Sequence, residues 1–116
     1  MDSKTRSYQF ALKVIKFIDA LPHDASTQIM AKQLLRAATS IGANIIEAQA
    51  SPSRRDFANY FSHSLKSANE TKYWLGLLKD TDKAKGEVID NLLKETDVIA
   101  NILGSSVLTL KGKRKL

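Results

Sequence analysis

Few side chains in this sequence could take part in a reaction, and their spacing limits what they could do. Arg36 and Ser40 lie one helical turn apart, and Asn44 and Glu47 continue the same polar line at 3.6 residues per turn. A guanidinium, a hydroxyl, an amide and a carboxylate in a row can exchange hydrogen bonds. They do not make an activated nucleophile, because no histidine or other strong base falls within the stretch. The two histidines are His23, just after Pro22, and His63, with Glu70 seven residues further on and nearly in line. A lone imidazole beside one carboxylate is usually structural, and no Glu-x-x-His pair of the di-iron kind is present.

Other routes to catalysis fail on spacing. Helical-bundle ribonucleases of the HEPN type leave four to six residues between an arginine and a histidine, whereas seven residues separate Arg55 from His63 and eight separate Arg54 from it. There is no glycine-rich phosphate loop, serine elbow or acidic metal cluster. The chain has no cysteine, which excludes disulfides and thiolate sites. These residues predict a protein that is not an enzyme and uses neither metal nor cofactor. The stripe of Arg36, Ser40, Asn44 and Glu47 then has two readings. It is a solvated helix face, or it pairs with Ser67 and Glu70 of the next helix as a network that fixes register.

The elements that would position these groups follow from the apolar pattern. A first helix is expected over about 4–21, with Phe10, Val14, Phe17, Ile18 and Leu21 on one apolar edge and Tyr8, Ala11 and Ile15 on the other. Pro22 ends it. Ser26 or Thr27 is the expected N-cap of a second helix over about 27–50, whose Leu34, Ala38, Ile41, Ile45 and Ala48 share a face. After Ser51-Pro52-Ser53, the pair Ser53 and Asp56 approximates a capping box for a third helix over about 54–79. Its Phe57, Phe61, Ala68, Leu75 and Leu78 align, and Ser64 and Thr71 on the same face let a neighbour approach closely. Residues 80–86 read as a turn with a frayed helix start, and a fourth helix is expected over about 84–110. No strand or hairpin signal appears. The prediction is an all-α, up-down-up-down antiparallel four-helix bundle forming one domain over 1–116.

Composition agrees with one soluble core, at 43% hydrophobic and 26% charged residues. No run of about 18 apolar residues could cross a membrane and the first residues contain no apolar signal core, so a cytoplasmic protein is expected. Helices one and two have apolar arcs wider than one bundle interface needs, with Leu35, Gly42 and Ile46 widening the second. Tyr73 and Leu77 add an apolar pair on the polar side of helix three. These five residues are candidates for an interface, most economically with copies of the same chain.

The net charge of +6 is unevenly distributed. Lys111, Lys113, Arg114 and Lys115 fall within the last six residues, 111–116, leaving a body near +2. Such a tail is either a solvated terminus or a phosphate contact. Arg54, Arg55 and Lys66 on helix three are further candidates for nucleic-acid contact.

One stretch carries a more specific signal. Arg36, Ala37, Ala38, Ser40, Ile41, Asn44, Ile45 and Glu47 fit, in register, a pattern that resembles Arg-Ala-Ala-x-Ser-Ile-x-x-Asn-Ile-x-Glu-Gly. That pattern is the centre of the four-helix-bundle family encoded by intervening sequences in bacterial 23S ribosomal RNA genes. Ser53, Phe57, Phe61, Ser67 and Glu70 resemble its second block. Gly42 stands where proline is common and Ala48 where glycine is common. The family is in turn similar to the accessory variability protein of diversity-generating retroelements, a basic pentameric barrel that binds a reverse transcriptase and nucleic acid. The resemblance implies a cyclic homo-oligomer, a pentamer, with an RNA, DNA or ribonucleoprotein partner and no active site. A protein-interaction scaffold without a nucleic-acid role is the competing expectation.

Overall fold

Backbone donors at each helix start determine where the helices begin in the computed structural model, which describes residues 1–112. The elements are α1 (Ser3–Asp19), α2 (Ala25–Ala50), α3 (Arg54–Asp80) and α4 (Glu87–Leu110), with no strand among the described residues. They form an antiparallel up-down-up-down bundle in which each helix packs on the next and α4 closes on α1. The bundle measures 45 × 23 × 22 Å. No helix among the described residues is long and apolar enough to cross a membrane.

Two expected boundaries move, each for a local reason. The N-cap of α2 is Asp24 rather than Ser26 or Thr27. Its carboxylate accepts from the Thr27 hydroxyl at 2.8 Å, the Ser26 hydroxyl at 3.0 Å and the Thr27 amide at 3.3 Å. Lys83 Nζ adds an ion pair at 3.1 Å, tying the start of α2 to the α3–α4 turn. A serine hydroxyl could not gather that set of donors. The fourth helix starts at Glu87, not near residue 84, because Gly86 has φ +95° and Asp82 φ +59°, angles no α-helix contains. Asp82 follows the C-cap of α3, and the Lys83 amide returns to the Leu78 carbonyl to close that end. Ser53 caps α3 as its spacing predicts, accepting from the Asp56 amide at 3.1 Å. α1 ends at Asp19, and Ala20 and Leu21 then bond to carbonyls three residues back in a tightened turn before Pro22.

The core follows the apolar lines. Phe10, Val14 and Phe17 of α1 meet Leu34, Ile41 and Ile45 of α2, Leu75 and Leu78 of α3, and Ile89, Leu92 and Leu103 of α4. Each such side chain contributes about 1.5–3 kcal/mol of burial, offset by chain entropy. Small groups set the helix spacing. Ser64, fully buried on α3, donates from its hydroxyl to the Ile41 carbonyl of α2 at 2.8 Å. Thr71 and Thr96, also fully buried, donate to carbonyls one turn back at 2.7 Å, so neither hydroxyl is stranded.

On the other side of α2, Gly42 faces Ser7 of α1, where a Cβ would lie 3.2 Å from the Ser7 Oγ. Gly42 therefore serves the α1–α2 contact inside one chain. Replacing it with leucine should destabilise the fold by about 1–3 kcal/mol through overpacking. Urea unfolding would measure this.

The Asp24 cap predicts a pH dependence. Hydrogen bonds from the Thr27 hydroxyl and then Lys83 hold its carboxyl well below the ordinary carboxylate range. The ionised form is thus favoured in the folded state. Its contribution is complete above the unfolded value of about 4 and is lost as pH falls through the lower folded value. Thermal melts of the wild-type chain and Asp24→Asn should converge as pH drops below about 4.

Candidate functional site

The polar stripe of α2 can now be placed atom by atom. Arg36 reaches α3, with its guanidinium 3.4 Å from the Glu70 carboxylate and 3.0 Å from the Gln33 side-chain oxygen. The pair is mostly solvated, so it contributes on the scale of a surface ion pair, about 0–1 kcal/mol. The other members turn back on their own helix. Ser40 donates to the Arg36 carbonyl at 2.7 Å, and the Asn44 amide donates to the Ser40 carbonyl at 2.8 Å. Glu47 is exposed and has no ion pair or hydrogen bond among the described residues. Ser67 is half-buried, and its backbone carbonyl accepts from Thr71. The expected six-residue network is therefore one surface bridge, Arg36 to Glu70, plus separate bonds within helices. Polar side chains on a solvated face find their own carbonyls at i−4 before they find a neighbour.

Glu47 instead borders a notch where α2 turns into α3. Asp56, Asn59, Tyr60 and His63 line the rest of this open cavity of about 460 Å³. Two carboxylates, a phenol and an imidazole are a plausible acid–base set by type. Their geometry does not couple them. Among the described residues His63 makes no hydrogen bond to either carboxylate and meets only the Tyr60 ring edge, 6.5 Å between centroids. The nearby Ser51 hydroxyl is bonded to the Ala48 carbonyl. Glu70, in line with His63 along the helix, pairs with Arg36 instead. No three histidine, cysteine or acidic side chains among the described residues are arranged to hold a metal ion.

Basic residues distant in sequence do converge. Arg54 and Arg55 are exposed at the start of α3, and Lys111 is exposed just past the end of α4. The antiparallel order puts these two helix ends together, and Phe57, Phe61 and Leu110 share a shallow cleft there. Lys66 is exposed on the Arg55 face of α3, eleven residues or about 16 Å along the axis. Lys113, Arg114 and Lys115 lie outside the described residues.

The apolar surface is also uneven. Tyr8, Leu12 and Ile15 of α1 are exposed, as are Leu35 and Ile46 of α2, the last at 46%. Tyr8, Leu12, Ile15 and Ile46 flank a groove of about 530 Å³ floored by Ala11, Gly42 and Ala43. Tyr73 on α3 is 60% exposed and packs edge-on against Trp74 at 5.1 Å, while Leu77 is half-buried. Sequence reasoning missed a second feature: Lys13, Lys16, Lys85 and Lys94 border one groove between α1 and α4. The signal in the sequence is weak, because Lys13 and Lys16 lie on the polar side of α1 and Lys85 and Lys94 come from a distant segment.

The comparisons with known proteins agree with this architecture. The model of the 23S rRNA-intervening sequence protein family matches residues 1–105. The chain belongs to this family. A solved structure of a protein of unknown function from the S23 ribosomal protein family of Bacteroides thetaiotaomicron is 38% identical, with a TM-score of 0.85. The likeness covers 91% of this chain and 98% of that one. No curated protein matches the sequence. The stripe from Arg36 to Glu47 makes one solvated bridge, Arg36 to Glu70. Glu47→Ala should accordingly change stability by no more than about 0.5 kcal/mol. Denaturant unfolding showing a loss of about 1 kcal/mol or more would mean that Glu47 has a buried partner after all.

Proposed function

We infer that this chain is a non-catalytic accessory protein that assembles with copies of itself and binds RNA, DNA or a ribonucleoprotein in the bacterial cytoplasm. The observation that carries the reading is the convergence of Arg54, Arg55 and Lys111 at one end of the bundle, where the basic segment of Lys113, Arg114 and Lys115 continues in sequence. The family's name, which ties it to 23S rRNA, supports an RNA-linked role. Assembly is supported by the α1–α2 groove, whose exposed Tyr8, Leu12, Ile15 and Ile46 present more apolar surface than a solvated helix pair needs. A homopentamer, the form implied by the resemblance, would repeat the basic end five times around an axis and raise the local field for phosphates. The uncoupled groups of the α2–α3 notch fit a protein that positions a partner rather than transforms it.

Binding to a structured RNA, measured as a function of salt, tests this. The affinity should fall steeply with salt, and removing residues 111–116 should flatten the log–log slope by about 3–4 units if all four cations contact phosphates. Absence of binding at low salt would reject the nucleic-acid role.

A second reading, a protein-interaction scaffold, is favoured by Tyr73, which is exposed on α3 outside the α1–α2 groove. Under that reading a partner retained after nuclease treatment and tail removal is lost when Tyr73 and Leu77 are both changed to serine.

A further inference from the structure

Cations outside ion pairs gather at a second surface besides the basic end. All five ion pairs among the described residues join different elements: Arg6 to Glu95, Arg36 to Glu70, Lys72 to Asp97, Lys79 to Asp90 and Lys83 to Asp24. Lys13, Lys16, Lys85 and Lys94 take part in none of them, and all four are exposed on the rim of one groove of about 820 Å³ between α1 and α4. The two other charged residues of the lining, Lys83 and Glu95, are neutralised by Asp24 and Arg6.

The floor between the lysines is apolar. Phe17 and Leu21 of α1 lie against Leu92 of α4, and Val88 and Val98 remain 61% and 40% exposed. Val88 and Leu92 lie one turn apart, and Val98 lies ten residues beyond Val88, about 15 Å along the axis, with Asn91 and Glu95 between them on the lining. An apolar floor flanked on both sides by cations outside ion pairs is the complement of one ligand shape: a helix with an apolar stripe and carboxylates on its two shoulders. The geometry points to an acidic amphipathic helix of another protein as the occupant of this groove, lying along α1 and α4 for about three turns.

Charge chemistry separates this occupant from two others. A nucleic acid would find phosphate contacts in the lysines, but the groove offers no arginine and no exposed aromatic ring for a base to stack on. A second copy of this chain lacks the complement, because no helix among the described residues carries two carboxylates free of ion pairs within three turns of each other. The surface is separate from the basic end bearing Arg54, Arg55 and Lys111, so either can fail without the other.

The test uses the full chain and a fluorescent synthetic peptide of about 16 residues, with leucines at helical i, i+3 and i+7 spacing and glutamates on both flanks. Fluorescence anisotropy should show saturable binding, with a scrambled peptide of the same composition at least about tenfold weaker. Lys13→Glu combined with Lys94→Glu, and separately Val88→Asp, should each weaken the peptide at least about tenfold, while Lys66→Glu should not. The two charge reversals lie on the surface, so circular dichroism should show an intact helical fold. Equal binding of the scrambled peptide, or no binding of either, overturns the proposal. So does an RNA hairpin that binds in place of the peptide and loses affinity to the same reversals. A fall in assembled mass on Val88→Asp would assign the groove to a second copy, and that too overturns it.

Discussion

The close approach of α2 to the helices on both sides of it is the constraint on which the rest of this bundle depends. On one side the Ser64 hydroxyl reaches the Ile41 carbonyl at 2.8 Å, and on the other Gly42 leaves room for Ser7. A larger side chain at either place would push a neighbouring helix outward and open the core around Ile41 and Ile45, both almost wholly buried. With two sides of α2 occupied inside the chain, only a narrow strip faces out. That strip carries Arg36, Ser40 and Glu47 along one edge and Leu35 and Ile46 along the other. The helix that builds the fold thereby also presents its most informative surface.

Periodicity made the fold legible because burial in a bundle is a one-dimensional problem along each helix. Leu34, Ala38, Ile41, Ile45 and Ala48 were identifiable as a core line from spacing alone, and all are at most 1% exposed. Capping was harder. Asp24 displaced Ser26 and Thr27 because its second oxygen could serve Lys83, a residue 59 positions away whose proximity only the fold creates. The start of α4 moved for a backbone reason, the positive φ of Gly86. Arg36, Ser40, Asn44 and Glu47 share a line by helical spacing. Its supposed network required rotamers that reach a neighbour, and Ser40 and Asn44 found carbonyls of their own helix first.

Charge shows the same division between what is local and what is not. A basic tail is visible in any linear reading, whereas the grouping of Arg54 and Arg55 with Lys111 depends on the antiparallel order of α3 and α4. The four lysines around the α1–α4 groove come from two segments some 70 residues apart and become distinctive only when the fold brings them to the rim of one groove. The bundle thus separates three surfaces: a basic end, an apolar α1–α2 face and a lysine-rimmed apolar groove.

The proposed assembly requires other copies of the chain on the α1–α2 face. Sedimentation equilibrium of the purified protein tests this directly. The predicted mass is a multiple of the 12.9 kDa chain, fivefold for the pentamer. A single species at 12.9 kDa at every concentration tested would contradict it, leaving Tyr8, Leu12, Ile15 and Ile46 as isolated surface residues.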